Sequence, residues 1–306
     1  MTSSRIAIGP EPWDEVIAAV RGAGGELTEI GPAADALIWL DASDIDGLTK
    51  ALAAAQAARW VQLPFAGVER VAEAGLLDPA RTWTCAKGAY AEPVAEHALM
   101  LAMAGLRFLR RRIQARSWGT AAGESLYDQP VTILGGGGIA VSLLELLAPM
   151  RAEVTVVRRQ PGALPGAART LQAGQLLEAL APARVVFVAL ALTPATEGII
   201  GAAQLAAMRR DAWLVNVARG RHVDTDALVA ALRERSIGGA ALDVTDPEPL
   251  PEGHPLWDLD NCIITPHTAD TAEMIRQLLS RRIQRNVAAF AAGQPLEGLV
   301  DPAAGY

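Results

Sequence analysis

Two cysteines in 306 residues, Cys85 and Cys262, cannot build a disulfide framework, and neither sits in a CxxC metal or redox spacing. A reducing, cytoplasmic setting is therefore expected. Long hydrophobic runs are missing too. The longest clean one, Val185 to Leu192, falls far short of the roughly 20 apolar residues of a membrane helix. The opening MTSSRIAIGP has no charged segment leading into a long apolar one, so no targeting signal is expected. Basic charge is in deficit: 27 Lys and Arg stand against 34 Asp and Glu, a formal net charge of −7. That balance opposes a nucleic-acid or anionic-membrane partner, which needs concentrated positive field, and favours a small molecule. Lysine itself is almost absent, only Lys50 and Lys87, a skew read as compositional bias rather than chemistry. What is abundant is apolar: 51% hydrophobic residues against 20% charged, enough for buried cores in about two domains of ordinary size.

The apolar material has a β/α rhythm. Short runs at Ile6 to Ile8, Ala36 to Leu40, Trp60 to Leu63 and Thr82 to Cys85 alternate with helical-period segments at Trp13 to Arg21 and Asp46 to Ala57. From Glu92 to Arg116 the pattern stays helical, predicting one long helix. Beyond it the alternation restarts with strands near Val131, Val154, Val185, Trp213, Gly239 and Cys262, and a last amphipathic helix covers Thr271 to Ala292. Alternating strands and helices predict parallel sheets covered on both faces.

One strand-to-helix junction carries a cofactor signature. Gly135-Gly136-Gly137-Gly138-Ile139-Ala140 follows strand Val131 to Leu134, giving GxGxxA inside a βαβ unit. Gly135 permits the tight turn, Gly137 lets a pyrophosphate approach the backbone, and small Ala140 lets the helix pack closely. Gly138 and Ile139 complete the expected phosphate cradle. Some twenty residues on, a carboxylate would normally meet the adenine ribose, but Arg158 and Arg159 stand there. Guanidinium groups suit the extra phosphate of NADP, so NADPH is expected in preference to NAD.

Three strand ends then present polar residues where open α/β sheets bind ligands. Arg219 follows Val215-Asn216-Val217-Ala218, Glu248 lies in the stiff loop Asp246 to Pro251, and His267 ends Ile264-Thr265-Pro266. A histidine can protonate the oxygen of a carbonyl under reduction, a carboxylate can orient it, and an arginine can pair with a substrate carboxylate. Taken singly, each also has a plain structural reading. No metal-ligand cluster is expected.

Together with Pro93-Val94-Ala95-Glu96-His97, Leu192 to Thr196 and His254-Pro255-Leu256-Trp257, these motifs resemble the D-isomer-specific 2-hydroxyacid dehydrogenase family over nearly the whole chain. The resemblance implies two doubly wound parallel-sheet α/β domains: a flavodoxin-like substrate domain, 1–95 plus 271–306, and a Rossmann-like dinucleotide domain, 96–270, inserted into it. It also implies a cleft between them and a homodimer built on the nucleotide domains. By position, His267 resembles the general acid, Glu248 its partner and Arg219 the substrate-holding residue. Asp243 and Val217 fall among the cofactor contacts, while Phe65, Ala66 and Gly67 match the loop that clamps the substrate carboxylate. His97, His222 and His254 are expected to be structural.

The activity so implied is reduction of a 2-oxo acid, glyoxylate, hydroxypyruvate or bulkier, with NADPH preferred and NAD possible. Two other readings use the same fold: a dinucleotide-sensing regulatory protein, and an NAD-dependent phosphoglycerate-type dehydrogenase. The retained Arg219, Glu248 and His267 weigh against the first, and the lack of an asparagine and basic residues near Phe65 against the second. The family usually has a small residue where Asp270 stands, which bears on the substrate.

Overall fold

The computed structural model describes residues 3–41 and 43–303. The chain begins with β1 (Arg5–Gly9), α1 (Asp14–Gly22), β2 (Glu26–Thr28), β3 (Ala36–Trp39), α2 (Ile45–Ala54), β4 (Trp60–Gln62), α3 (Glu69–Glu73) and β5 (Thr82–Thr84). It continues through α4 (Ala91–Leu106), α5 (Leu109–Gln114), β6 (Pro130–Leu134), α6 (Gly138–Leu147), β7 (Glu153–Val157), β8 (Arg169–Leu171), α7 (Leu176–Leu180) and β9 (Val185–Val188). Then follow α8 (Ala202–Ala207), β10 (Trp213–Asn216), α9 (Thr225–Arg233), β11 (Gly239–Leu242), β12 (Cys262–Ile264) and α10 (Ala272–Ala291). Two compact units result, Met1–Tyr90 with Thr271–Tyr306, and Ala91–Asp270.

The first unit is a parallel sheet in the order β2-β1-β3-β4-β5, the flavodoxin-like arrangement. Its central strands are buried on both faces, as their unbroken apolar runs demand: β3 is wholly buried Ala36-Leu37-Ile38-Trp39. The returning helix α10 starts where Thr271 accepts a hydrogen bond from the Met274 amide, and it packs against α1. A buried polar chain ties it to the sheet. The Trp60 indole donates to Thr84 (2.7 Å), the Thr84 hydroxyl to Gln62 Oε1 (2.8 Å), and Asn286 Nδ2 to the same oxygen (3.0 Å). Buried polar atoms cost little when paired this way and much when one partner is lost.

The second unit is a seven-stranded parallel sheet ordered β12-β11-β10-β9-β6-β7-β8. The order of strand addition reverses between β6 and β9, the switch point at which doubly wound sheets bind ligands beyond the carboxyl ends of their strands. Gly135 lies there with left-handed backbone (φ 114°), and a Cβ on it would collide with the Ala189 carbonyl after β9. Only glycine admits that approach.

The single helix expected over 92–116 is two. Phe108 takes left-handed backbone (φ 52°) and ends the ladder between α4 and α5. Up to Leu106 the helix buries an apolar face, with Gly105 pressed against the Trp213 ring. Past that point Arg110 turns to the carbonyls of Trp257, Leu259 and Cys262. Both cysteines are free and buried.

Candidate active site

The expected cofactor loop sits where a strand meets a helix, at β6–α6. Gly137 caps α6 without a side chain, so no side-chain oxygen occupies the helix N-terminus. A Cβ at Gly137 would meet nothing within 4 Å, whereas one at Gly136 would lie 2.9 Å from Arg158 Cδ. The stem of Arg158 therefore crosses the glycine loop, and its guanidinium donates to Gln160 through Nε and one terminal nitrogen, each at 3.0 Å. Arg159, the next residue, is exposed. Uncapped amides at a helix N-terminus and open space before them fit a dinucleotide pyrophosphate.

Beyond β10, β11 and β12 the sheet edge presents the three polar residues. His267 Nδ1 and Glu248 Oε1 are 2.6 Å apart, with both side chains about 40% exposed (43% and 39%). A carboxylate only accepts, so the proton of this bond sits on Nδ1 and Nε2 takes no part in it. His267 itself has left-handed backbone (φ 49°), rare for a residue with a side chain, and its amide donates to the Asp243 carbonyl at 2.8 Å.

Arg219 emerges from a knot of local bonds. Asn216, buried at the end of β10, donates from Nδ2 to the Arg219 carbonyl (2.9 Å) and accepts from the Ala218 amide (3.1 Å). The Arg219 amide donates to Nδ1 of buried His222 (3.2 Å). Gly220 then packs its backbone on that of Thr245 and Asp246, where no Cβ would fit, pressing the Arg219 turn onto the loop that carries Glu248. Val217 is buried beside them.

Asp243 is buried after β11, and its carboxylate is heavily engaged. Oδ1 accepts from the Thr265 hydroxyl (2.6 Å) and the Thr268 amide (3.0 Å), and Oδ2 from the Ala269 amide (3.0 Å). His97 Nε2, from α4, lies 3.3 Å from Oδ1 and 3.1 Å from the Thr265 hydroxyl. Burial alone would raise this carboxyl, but bonds from His97, Thr265 and the two amides outweigh it and bring Asp243 down to about 2. Asp270 behaves oppositely: burial pushes it above its ordinary value, against the pull of the His267 and Arg219 charges.

In the first unit, the loop Leu63 to Val68 joins β4 to α3 at the carboxyl edge of the sheet. Its carbonyls are tied: Pro64 accepts from the Tyr90 hydroxyl (2.6 Å), Phe65 from the Ala86 amide (3.0 Å) and Ala66 from the Cys85 thiol (3.5 Å). The amides of Phe65, Ala66 and Gly67 find no acceptor among the described residues.

The sequence places His97 among structural residues and assigns no role of their own to Thr265, Gly220 or Gln160. Thr265 and Gly220 adjoin singled-out residues, and Gln160 follows the two arginines, so adjacency was a usable signal. His97 lay in a quoted motif, but its partner is 146 positions away. A cavity of about 450 Å³ in the second unit is lined by Glu197, Arg221, Asp224, Asp246 and His254, and by neither Glu248 nor His267. The cavity therefore does not include the His267–Glu248 pair. Among the described residues no group of three or more His, Cys, Asp or Glu could hold a metal, and no helix is long and apolar enough to cross a membrane.

Comparison with known proteins identifies the family. The model of the D-isomer specific 2-hydroxyacid dehydrogenase NAD binding domain matches residues 97–269. A Corynebacterium melassecola protein, described as "Uncharacterized protein in proB 3'region", is 38% identical over 304 residues, 97% of this chain and 98% of its own length. The human glyoxylate reductase/hydroxypyruvate reductase is 34% identical over 175 residues, 57% of this chain and 53% of that protein, so the match spans about half of the human enzyme. The crystal structure of a D-isomer specific 2-hydroxyacid dehydrogenase from Xanthobacter autotrophicus Py2, in complex with NADPH and MES, superposes with a TM-score of 0.87 at 27% identity, covering 100% of both chains. This chain belongs to the D-isomer specific 2-hydroxyacid dehydrogenase family, nicotinamide-dependent oxidoreductases acting on the CH–OH group.

Proposed function

We propose that this protein reduces a 2-oxo acid to the D-2-hydroxy acid with NADPH as its preferred reductant, and that glyoxylate, hydroxypyruvate or a bulkier 2-oxo acid is the substrate. The 2.6 Å bond between His267 and Glu248 carries this reading. Glu248 holds the ring through Nδ1, so the proton on Nε2 is available to the oxygen that becomes the hydroxyl. Arg219, anchored by Asn216 and His222, pairs with the substrate carboxylate and polarises the carbonyl. In the first unit, the amides of Phe65, Ala66 and Gly67 would donate to a substrate carboxylate.

Gly135, Gly137, Gly138 and Ile139 would hold the dinucleotide pyrophosphate, with Val217 and Asp243 at its nicotinamide end. When bound, the reduced nicotinamide supplies the hydride that adds to the carbonyl carbon. Arg158 and Arg159 would take the ribose phosphate; the Gln160 clamp on Arg158 supports the preference, as does the NADPH bound to the Xanthobacter relative. The human relative, named for glyoxylate and hydroxypyruvate, supports the substrate class. We also propose a cytoplasmic homodimer formed through the second unit. Exposed Met100, Met103, Leu109 and Ile113 on α4 and α5, with Trp118 99% exposed, are the apolar surface a second copy would cover.

Loss of reduced-cofactor absorbance, followed with NADPH and NADH against a panel of 2-oxo acids, tests the reading. Faster turnover with NADPH is expected, and replacing Arg158 and Arg159 together should weaken NADPH far more than NADH. Equal losses would remove the cofactor preference, and tight dinucleotide binding without turnover of any acid would remove the reductase.

A further inference from the structure

Beyond the three residues assigned to the reaction, one constellation gathers around buried Asp243, next to His267. Five donors converge on Asp243. Its backbone carbonyl accepts from the amide of His267, its carboxylate from the Thr265 hydroxyl and the amides of Thr268 and Ala269, and His97 Nε2 stands beside Oδ1 and the Thr265 hydroxyl. The segment so gripped, 265–269, is the one in which His267 adopts left-handed backbone. That conformation is strained for a residue with a side chain and persists only where the surroundings over-determine it. Those surroundings are the Asp243 bonds.

His97 is the only side chain in this arrangement that comes from outside the strand ends: it sits on α4, in the same compact unit. The Thr265 hydroxyl gives its hydrogen to Asp243, so at 3.1 Å from His97 it must accept, and the Nε2 proton of His97 is shared between hydroxyl and carboxylate. His97 thereby fixes both partners at once, the hydroxyl two residues before His267 and the carboxylate that holds the amides after it.

We propose that His97 is a positioning residue, which through Asp243 and Thr265 locks the left-handed turn that presents His267 to Glu248. The inference rests on the reading of His267 as the proton donor. A glutamine at 97 can place an N–H near the position of Nε2, whereas phenylalanine fills the space and gives no donor.

His97→Gln and His97→Phe, compared with the unaltered protein, provide the test. Amide hydrogen exchange at residues 267–269 is measured together with kcat, KM and the NADPH dissociation constant. For His97→Phe, exchange at these three amides should accelerate at least tenfold relative to amides in β6 and β9. Its kcat should fall roughly ten- to a hundredfold with KM and NADPH binding within about twofold, and His97→Gln should recover most of both. Unchanged exchange at 267–269 in His97→Phe would overturn the proposal, as would equal losses in both variants or a loss confined to NADPH binding. If the unaltered protein reduces no 2-oxo acid, the reductase reading fails, and the exchange measurement still decides whether His97 holds the turn.

Discussion

At the scale of single residues, the two aspartates near His267 have opposite environments and opposite consequences. Asp243 is held at about 2, below its ordinary 3.8, so the carboxylate is bound better in the folded chain than in the unfolded one. Its stabilisation is fully present above the ordinary value and is lost as pH falls through about 2, amounting to about 2 kcal/mol. Urea unfolding of the protein and of Asp243→Asn between pH 7 and pH 2 should show the variant less stable at neutrality, with a flatter acid limb below pH 4. An equal slope in both would remove the assignment. Asp270 is raised by burial, so its ionisation burdens the fold once pH exceeds the ordinary carboxyl range. Asp270→Asn should therefore melt higher at pH 7, with the gain shrinking toward pH 3; a variant that melts lower at neutrality would show the carboxylate to be paired favourably instead. The thiols belong to the same scale. Burial raises Cys85 and pushes Cys262 up to about 12, so a thiol reagent should modify neither until the protein unfolds.

At the scale of elements, glycines set how closely strand ends approach one another. Gly220 has the Thr245 and Asp246 backbone where a Cβ would go, while Gly137 faces open space. Gly220→Ala must push the Glu248 loop away, costing about 1–3 kcal/mol of stability and most of the turnover. Gly137→Ala should leave the melting temperature nearly unchanged and weaken NADPH binding, because the added methyl occupies the space before the α6 amides. Reversed effects would contradict the placement of the cofactor.

The same elements mark what a sequence makes legible. Central strands such as β9, Val185-Val186-Phe187-Val188, are readable because burial on both faces leaves an unbroken apolar run. The edge strands β2, Glu-Leu-Thr, and β8, Arg-Thr-Leu, leave no such trace, since their pairing is supplied by a neighbour and not by their own composition. The break at Phe108 is hidden because the helical period runs on through Arg116, while the left-handed turn at Phe108 leaves no mark in the pattern. Arg219, Glu248 and His267 announce themselves as polar residues at strand ends. The contact of His97 with Asp243 does not, because it exists only after α4 has docked.

At the scale of the whole molecule, the chain closes on itself: α10 returns to the first unit and is tied there by Asn286 to Gln62 and to the Glu297 carbonyl. Asn286→Leu leaves Gln62 Oε1 short of one donor and the Glu297 amide without its acceptor, and should destabilise the first unit by about 2–3 kcal/mol while NADPH binding to the second persists. Differential scanning calorimetry with and without NADPH separates the two. Sedimentation should find two copies per particle, and Trp118→Asp together with Ile113→Asp should shift the distribution to one; an unaltered distribution would place the copy–copy contact elsewhere.

The proposed reaction turns on a proton delivered by His267. The most direct measurement is the rate of NADPH oxidation with the best 2-oxo acid of the panel, by the protein and by His267→Asn, alongside NADPH binding followed by nicotinamide fluorescence. The expected result is a loss of turnover of about a thousandfold or more with NADPH binding within about twofold. Turnover near that of the unaltered protein in His267→Asn would contradict it.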